Sequence, residues 1–159
     1  MDSIQLKNEN ILRLEIKTDK GETTGDYLEF DLEDIELPLI YQEILEKLKS
    51  SRKKLKEKFL IIDKQKDHKG KKLMSSNEEA KIKVLNDFYK EQIEIYNMFL
   101  GENGVQKLLH GRKLRWTTLR EIDELIEKQI APKLDMTLDN ITKKIKEKYS
   151  VKKEDKVLE

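Results

Sequence analysis

The 159-residue chain contains no cysteine. Disulfides and thiolate metal sites are therefore excluded, and an intracellular compartment is the natural expectation. Proline is nearly missing, with two residues, and glycine is limited to six. So few breakers leave little irregular chain and favour long regular elements. No apolar run approaches the roughly 20 residues needed to span a bilayer, so no membrane segment is expected. Met1 to Asn10 is polar and lacks the apolar core of a secretory leader. A nucleophile elbow, a Walker loop and a dinucleotide glycine fingerprint are all missing. The two histidines, His68 and His110, do not form a His-x-x-x-His pair and make a poor start for zinc. No catalytic residue, cofactor or metal ligand is expected.

What the chain has is charge. Charged residues make up 41% and the hydrophobic set 36%. That balance suits long amphipathic helices rich in Lys, Glu, Leu and Ile. The net charge of +1 hides an asymmetry. Residues 1–46 carry 13 acids against 4 bases, or −9, whereas residues 49–72 carry 11 bases against 3 acids, or +8. Such blocks either solvate an exposed helix or steer binding to an opposite charge. Nucleic-acid binding usually shows a net basic domain, so the near-neutral total argues against it.

Periodicity gives the elements. Leu12, Leu14 and Ile16 alternate with polar residues, as do Leu28, Phe30 and Leu32. Period two predicts two strands, with Gly21 and Gly25 in the connecting turn. An isolated hairpin is marginal in water, so its apolar face must dock on helices or pair with another chain. Pro38 fits the first position of a helix reaching about Asp63. Tyr41, Leu45, Leu48, Arg52, Leu55, Phe59 and Ile62 follow at steps of three and four, a narrow heptad-like seam.

A polar loop with Gly70 then breaks the helix. Ser76 with Glu79 reads as a capping box for the next one. That helix carries Ile82, Leu85, Phe88, Tyr89, Gln92, Ile95, Tyr96 and Phe99, and stops at Gly101. The two helices should form an antiparallel hairpin with matching seams. In "FLGENGVQKLLHG", residues 99–111, Gly104 reads as a flexible loop point and Gly111 as the stop of a short helix. Thr118 with Glu121 suggests another capping box. Pro132 should end or kink that helix, and Thr137 should cap a last one. Trp116 is either a staple residue against the helix that follows or an anchor facing a partner.

The expected fold is mainly α with an N-terminal β-hairpin (α+β), in a single domain over residues 1–150. The hairpin lies at 11–33, and a long antiparallel helical hairpin at 37–100 with a loop near 64–75. Smaller C-terminal helices occupy 104–149, and a disordered tail 150–159.

An acidic hairpin ending "YLEFDLEDIELPLIYQ", then a charged helical pair, then "LNDFYKEQIEIYNMFLGENGVQKLLHGR" and further helix make a recognisable layout. It resembles the tail assembly chaperones of long-tailed bacteriophages and related prophages. In that family an aromatic-rich helix runs into a glycine turn. The matching positions are Phe99, Leu100, Gly101, Glu102, Gly104, Leu108 and Leu109, with Asn103 standing where a small residue is expected. The resemblance implies a non-enzymatic cytoplasmic protein of the bacterial host cell. Its partner would be the phage tape-measure protein, kept soluble while the tail is built. Candidate partner-binding residues are Tyr41, Leu45, Leu48, Leu55, Phe59, Phe99, Leu100 and Trp116. The seam offers a groove for an amphipathic helix, and the β-hairpin offers a strand edge for self-association. The same residues would equally serve internal packing. The alternative is a helical structural or nucleic-acid-binding accessory protein of a mobile element.

Overall fold

The computed structural model describes residues 1–7 and 9–158, with side chains described as far as Tyr149. It is mostly helical behind an antiparallel two-stranded hairpin of β1 (Ile11–Lys17) and β2 (Thr23–Asp31). Alternation holds: Leu12, Ile16, Leu28 and Phe30 are buried, while Arg13 and Glu29 pair on the exposed face at 2.9 Å. Gly21 and Gly25 both have positive φ, which glycine adopts without steric cost.

Helix α1 (Glu36–Asp63) starts two residues ahead of Pro38. Asp34 accepts a hydrogen bond from the Glu36 N–H at 3.0 Å and so caps the helix. Pro38 sits third instead of first, still within the turn whose N–H groups need no helical partner. After the loop at 64–75, helix α2 (Ser76–Leu100) runs back antiparallel to α1. Its capping box uses Ser75 and Glu78, one residue earlier than Ser76 and Glu79 suggested. Ser76 is engaged elsewhere: its hydroxyl accepts from the His68 N–H and donates to Asp67.

Chain contacts define two compact units. The first comprises Leu14–Leu28 and Leu39–Lys113. Its core is the interior of the helical hairpin: Ile44, Leu48, Leu55 and Ile62 from α1, and Phe88, Ile95, Tyr96, Phe99 and Leu100 from α2. The α1 seam passes through Ile44 and Ser51 instead of Leu45 and Arg52, because the heptad through Leu48, Leu55 and Ile62 points the former pair inward. A short helix α3 (Gly104–Leu109) adds buried Val105 and Leu109.

The second unit comprises Met1–Arg13, Glu29–Pro38 and Leu114–Glu159. Its helices are α4 (Trp116–Leu125) and α5 (Ala131–Leu158), joined by a π-helical turn at Ile126–Ile130. Some sequence expectations give way here. Thr118 does not cap α4; Arg115 precedes the helix without a side-chain bond. Leu114 and Leu119 are buried in the two positions a hydrophobic staple uses, so apolar burial sets the helix start. Trp116, considered for that staple, is instead the first helical residue and 60% exposed.

Pro132, expected to end or kink the helix, does not end it; the irregularity beside it takes the form of the π-helical turn. The Ala131 N–H bonds to the carbonyl of Ile126, five residues back, and this wider turn admits the proline ring that an α-helical turn would reject. Thr137 is not a cap either. It is buried in mid-helix with its hydroxyl donating to the Lys133 carbonyl at 2.9 Å. The helix passes residue 150, where a tail was expected; the segment contains no Gly or Pro to stop it, and Glu159 lies outside the described residues. Among the described residues, no helix is long and apolar enough to cross a membrane.

Candidate functional site

The stretch Asn97–Gly111 is where α2 gives way to α3. Gly101 ends α2 with φ 95° and ψ 175°, a region essentially reserved for glycine, and its N–H bonds back to the Asn97 carbonyl. Asn103 adopts the left-handed conformation at φ 56°, which asparagine tolerates better than most residues. Gly104 follows as the first residue of α3. A β-carbon there would lie 2.6 Å from the β-carbon of Leu100, so the glycine permits close contact instead of serving as a flexible point. Asn97 ties the joint together. Its Oδ1 accepts from the Val105 N–H at 2.8 Å, and its Nδ2 donates to Gln106 at 2.9 Å. His110 takes a left-handed conformation at φ 47° and caps α3, one residue before Gly111.

These bonds satisfy backbone groups that would otherwise be orphaned at two helix ends. Nucleophile, base and oxyanion geometry has no counterpart in them. The joint is an architectural element, as the glycines at 101 and 111 suggested, but tighter at Gly104 than the sequence implied.

The eight candidate partner-binding residues separate into three groups. Leu48, Leu55, Phe99 and Leu100 are buried in the hairpin core. The groove expected along the α1 seam is therefore filled by α2, and these four residues present no surface to a partner. Tyr41 and Phe59 are half-buried. The Tyr41 ring lies 5.4 Å from that of Phe99, and the Lys81 ammonium stands over Phe59 at 5.7 Å. Leu45 and Trp116 are exposed.

Midway along the hairpin lies a polar layer, of which the sequence pattern placed Arg52, Gln92 and Tyr96 on the seams but not Ser51. Gln92, fully buried, donates to Ser51 at 3.0 Å, and Arg52 donates to the Tyr96 hydroxyl at 3.0 Å. The Gln92 carbonyl oxygen has no hydrogen-bond partner. A polar pair at a core position fixes the register of packed helices at some expense of stability. Counting the heptad backwards from Leu55 to Ser51 and Ile44 is the signal that would have found it.

Outside the seam, α1 carries a basic flank. At 100° per residue, Leu45, Lys49, Lys53, Lys56 and Leu60 fall on one side of the helix, and all are exposed. Lys64, Lys66, Lys69, Lys71 and Lys72 follow in the exposed loop. Asp67 organises that loop against the start of α2. Its carboxylate accepts from the N–H groups of Asn77 at 3.1 Å and His68 at 2.9 Å. The Asn77 bond is the main reason the carboxyl sits below its ordinary range; desolvation opposes it, and bonds from Ser75, His68 and Ser76 add to it. His68 is thereby a loop-fixing residue through its backbone. Among the described residues, no three His, Asp or Glu side chains stand together as a metal-holding group.

Compared with known protein families, curated proteins and solved structures, the chain matches none.

Proposed function

We propose that the protein is a non-catalytic tail assembly chaperone of a bacteriophage or prophage, acting in the bacterial cytoplasm. It would bind the helical tape-measure protein and keep it soluble during tail building, with self-association of the β-hairpin as part of the same reading. The observation that carries this proposal is the joint from Phe99 to Leu109, the stretch in which the chain most resembles that family. The joint itself is well formed, with Asn97 holding the start of α3 against the end of α2. The α1 flank supplies a suitable surface in place of the filled seam. Leu45 and Leu60 offer apolar anchors, and the lysines between them complement the acidic border of an amphipathic helix.

Co-expression with a tape-measure fragment tests the reading. The soluble yield of the fragment should rise several-fold, and Leu45→Glu with Leu60→Glu should abolish the gain. Both leucines are already exposed, so the doubly substituted chain should keep its helical circular dichroism. An unchanged yield with the unaltered protein refutes the chaperone role.

A second reading draws on the lysines of residues 49–72. Lys49, Lys53 and Lys56 have no carboxylate within ion-pair distance among the described residues, so this surface would also suit a polyanion. Nucleic-acid binding through it would weaken steeply with salt, by about tenfold or more between 50 and 200 mM. Affinity indifferent to salt would remove this reading.

A further inference from the structure

The loop between α1 and α2 is pinned at its neck. The Ser76 N–H donates to the His68 carbonyl at 2.8 Å, and the His68 N–H donates to the Ser76 hydroxyl at 3.0 Å. Beside them the Asn77 side-chain amide donates to the Gln65 carbonyl at 3.0 Å. Residues 69–74 lie between the two sides of this neck and read Lys-Gly-Lys-Lys-Leu-Met. Lys69, Lys71 and Lys72 are exposed, and Leu73 beside them is 88% exposed. Leu60 and Ile61, in the last turn of α1 at the same end of the hairpin, are exposed as well. Three open aliphatic side chains next to a lysine loop contribute little to the core and need another explanation.

Residues 60–83 hold seven lysines against four acids, or +3. Each of the acids is engaged within the fold. Asp63 pairs with Lys81, and Glu79 with Lys83 at 3.3 Å. Asp67 accepts from the N–H groups of Asn77 and His68, and Glu78 from the Ser75 N–H at 3.5 Å. The other five lysines, Lys64, Lys66, Lys69, Lys71 and Lys72, have no carboxylate within ion-pair distance among the described residues. Their charge calls for an anionic partner, and the residue types around them choose which. No Arg, Phe, Trp or Tyr occurs from residue 60 to residue 87. Nucleic-acid surfaces draw on aromatic stacking and the arginine fork, and this segment has neither. A bilayer interface suits lysine beside aliphatic groups, because ammonium meets headgroup phosphate while the aliphatic chain enters the acyl boundary.

We propose that the loop end of the helical hairpin docks on an anionic phospholipid surface. Leu73 enters the interface, and Lys69, Lys71 and Lys72 meet the headgroup phosphates. The binding is peripheral and reversible: each lysine near such a surface contributes about fivefold to the partition, and one inserted leucine about tenfold. The pinned neck reduces the entropy lost when the loop is ordered on the surface. This proposal does not rest on the chaperone role. Its test needs no tape-measure protein, so either reading can fail alone.

Co-sedimentation of the full chain with phospholipid vesicles is the direct test. The chain should bind vesicles of mixed phosphatidylglycerol and phosphatidylcholine, ignore vesicles of phosphatidylcholine alone, and come off as ionic strength rises. Lys71→Gln with Lys72→Gln should lower the partition by about 25-fold, and Leu73→Ser by about tenfold. All three side chains are exposed in the loop, and unchanged circular dichroism will verify the fold. The lack of native cysteine allows a depth probe. Leu73→Cys carrying an environment-sensitive dye should shift to the blue on mixed vesicles, whereas Ser50→Cys, exposed on α1 away from the loop, should not. Failure to bind mixed vesicles, equal binding to neutral ones, indifference to Leu73→Ser or to the lysine pair, or an equal dye shift at Ser50→Cys overturns the proposal. So does displacement from the vesicles by single-stranded or duplex DNA at equal phosphate concentration, which would mark a nucleic-acid surface instead.

Discussion

Replacing Gly104 by alanine should destabilise the protein by about 1–3 kcal/mol, the usual range for overpacking a filled site. The added methyl would stand 2.6 Å from the Leu100 β-carbon, well inside van der Waals contact. A β-carbon is fixed to the backbone, so no side-chain rotation relieves the clash; α3 must move away from α2. Alanine is the better helix former by up to about 1 kcal/mol in a helix interior. At the first helical position that gain is smaller, and the clash outweighs it. Moving α3 would also stretch the Asn97–Val105 and Asn97–Gln106 bonds. Gly70→Ala is the control, because its nearest neighbour is His68 at 3.9 Å and no positive φ is involved. Urea titration should show a clear loss for the first substitution and almost none for the second. Equal midpoints would show that the joint is looser than its geometry.

Tyr96→Ala should cost more, about 3–5 kcal/mol, the range measured when large buried aromatics are truncated. Tyr96 is fully buried, next to the Ser51–Gln92 layer in the sequence of α2 contacts, and its hydroxyl receives the Arg52 guanidinium. Removing the ring leaves a cavity in the core of the helical hairpin. Tyr96→Phe separates packing from hydrogen bonding. It keeps the ring and loses one bond, so about 0.5–1.5 kcal/mol is expected. Thermal and urea unfolding of both variants will decide the order. A Tyr96→Phe loss as large as that of Tyr96→Ala would place the weight on the Arg52 bond instead of the ring.

The long elements were legible because their patterns repeat. Seven residues of β1, both long helices and the loop between them follow from alternation, three-and-four spacing and two glycines. Details set by tertiary contact were not. Leu45 is more hydrophobic than Ser51, so composition drew the seam through the wrong side of α1; packing against Gln92 turns Ser51 inward. Thr118 and Thr137 looked like caps because threonine often is one, yet burial of Leu114, Leu119 and Leu134 fixed the helices around them. Pro132 was read as an end or a kink; the widened turn that accommodates it leaves no mark in local sequence. Of the candidate surface, Leu45 and Trp116 remain exposed, while Leu48, Leu55, Phe99 and Leu100 went to the core that the same periodicity equally described.

The π-helical turn before Pro132 also has a mechanical meaning. It joins α4 to a helix with 19 residues between Ala131 and Tyr149, a lever of about 28 Å at 1.5 Å per residue. Its wider hydrogen-bonded ring makes it the point along that rod where bending meets least resistance. A change of about 10° there carries the far end of the lever through about 5 Å, roughly one helical turn. A small strain at Ile126–Ile130 is thus delivered, magnified, at Ile145.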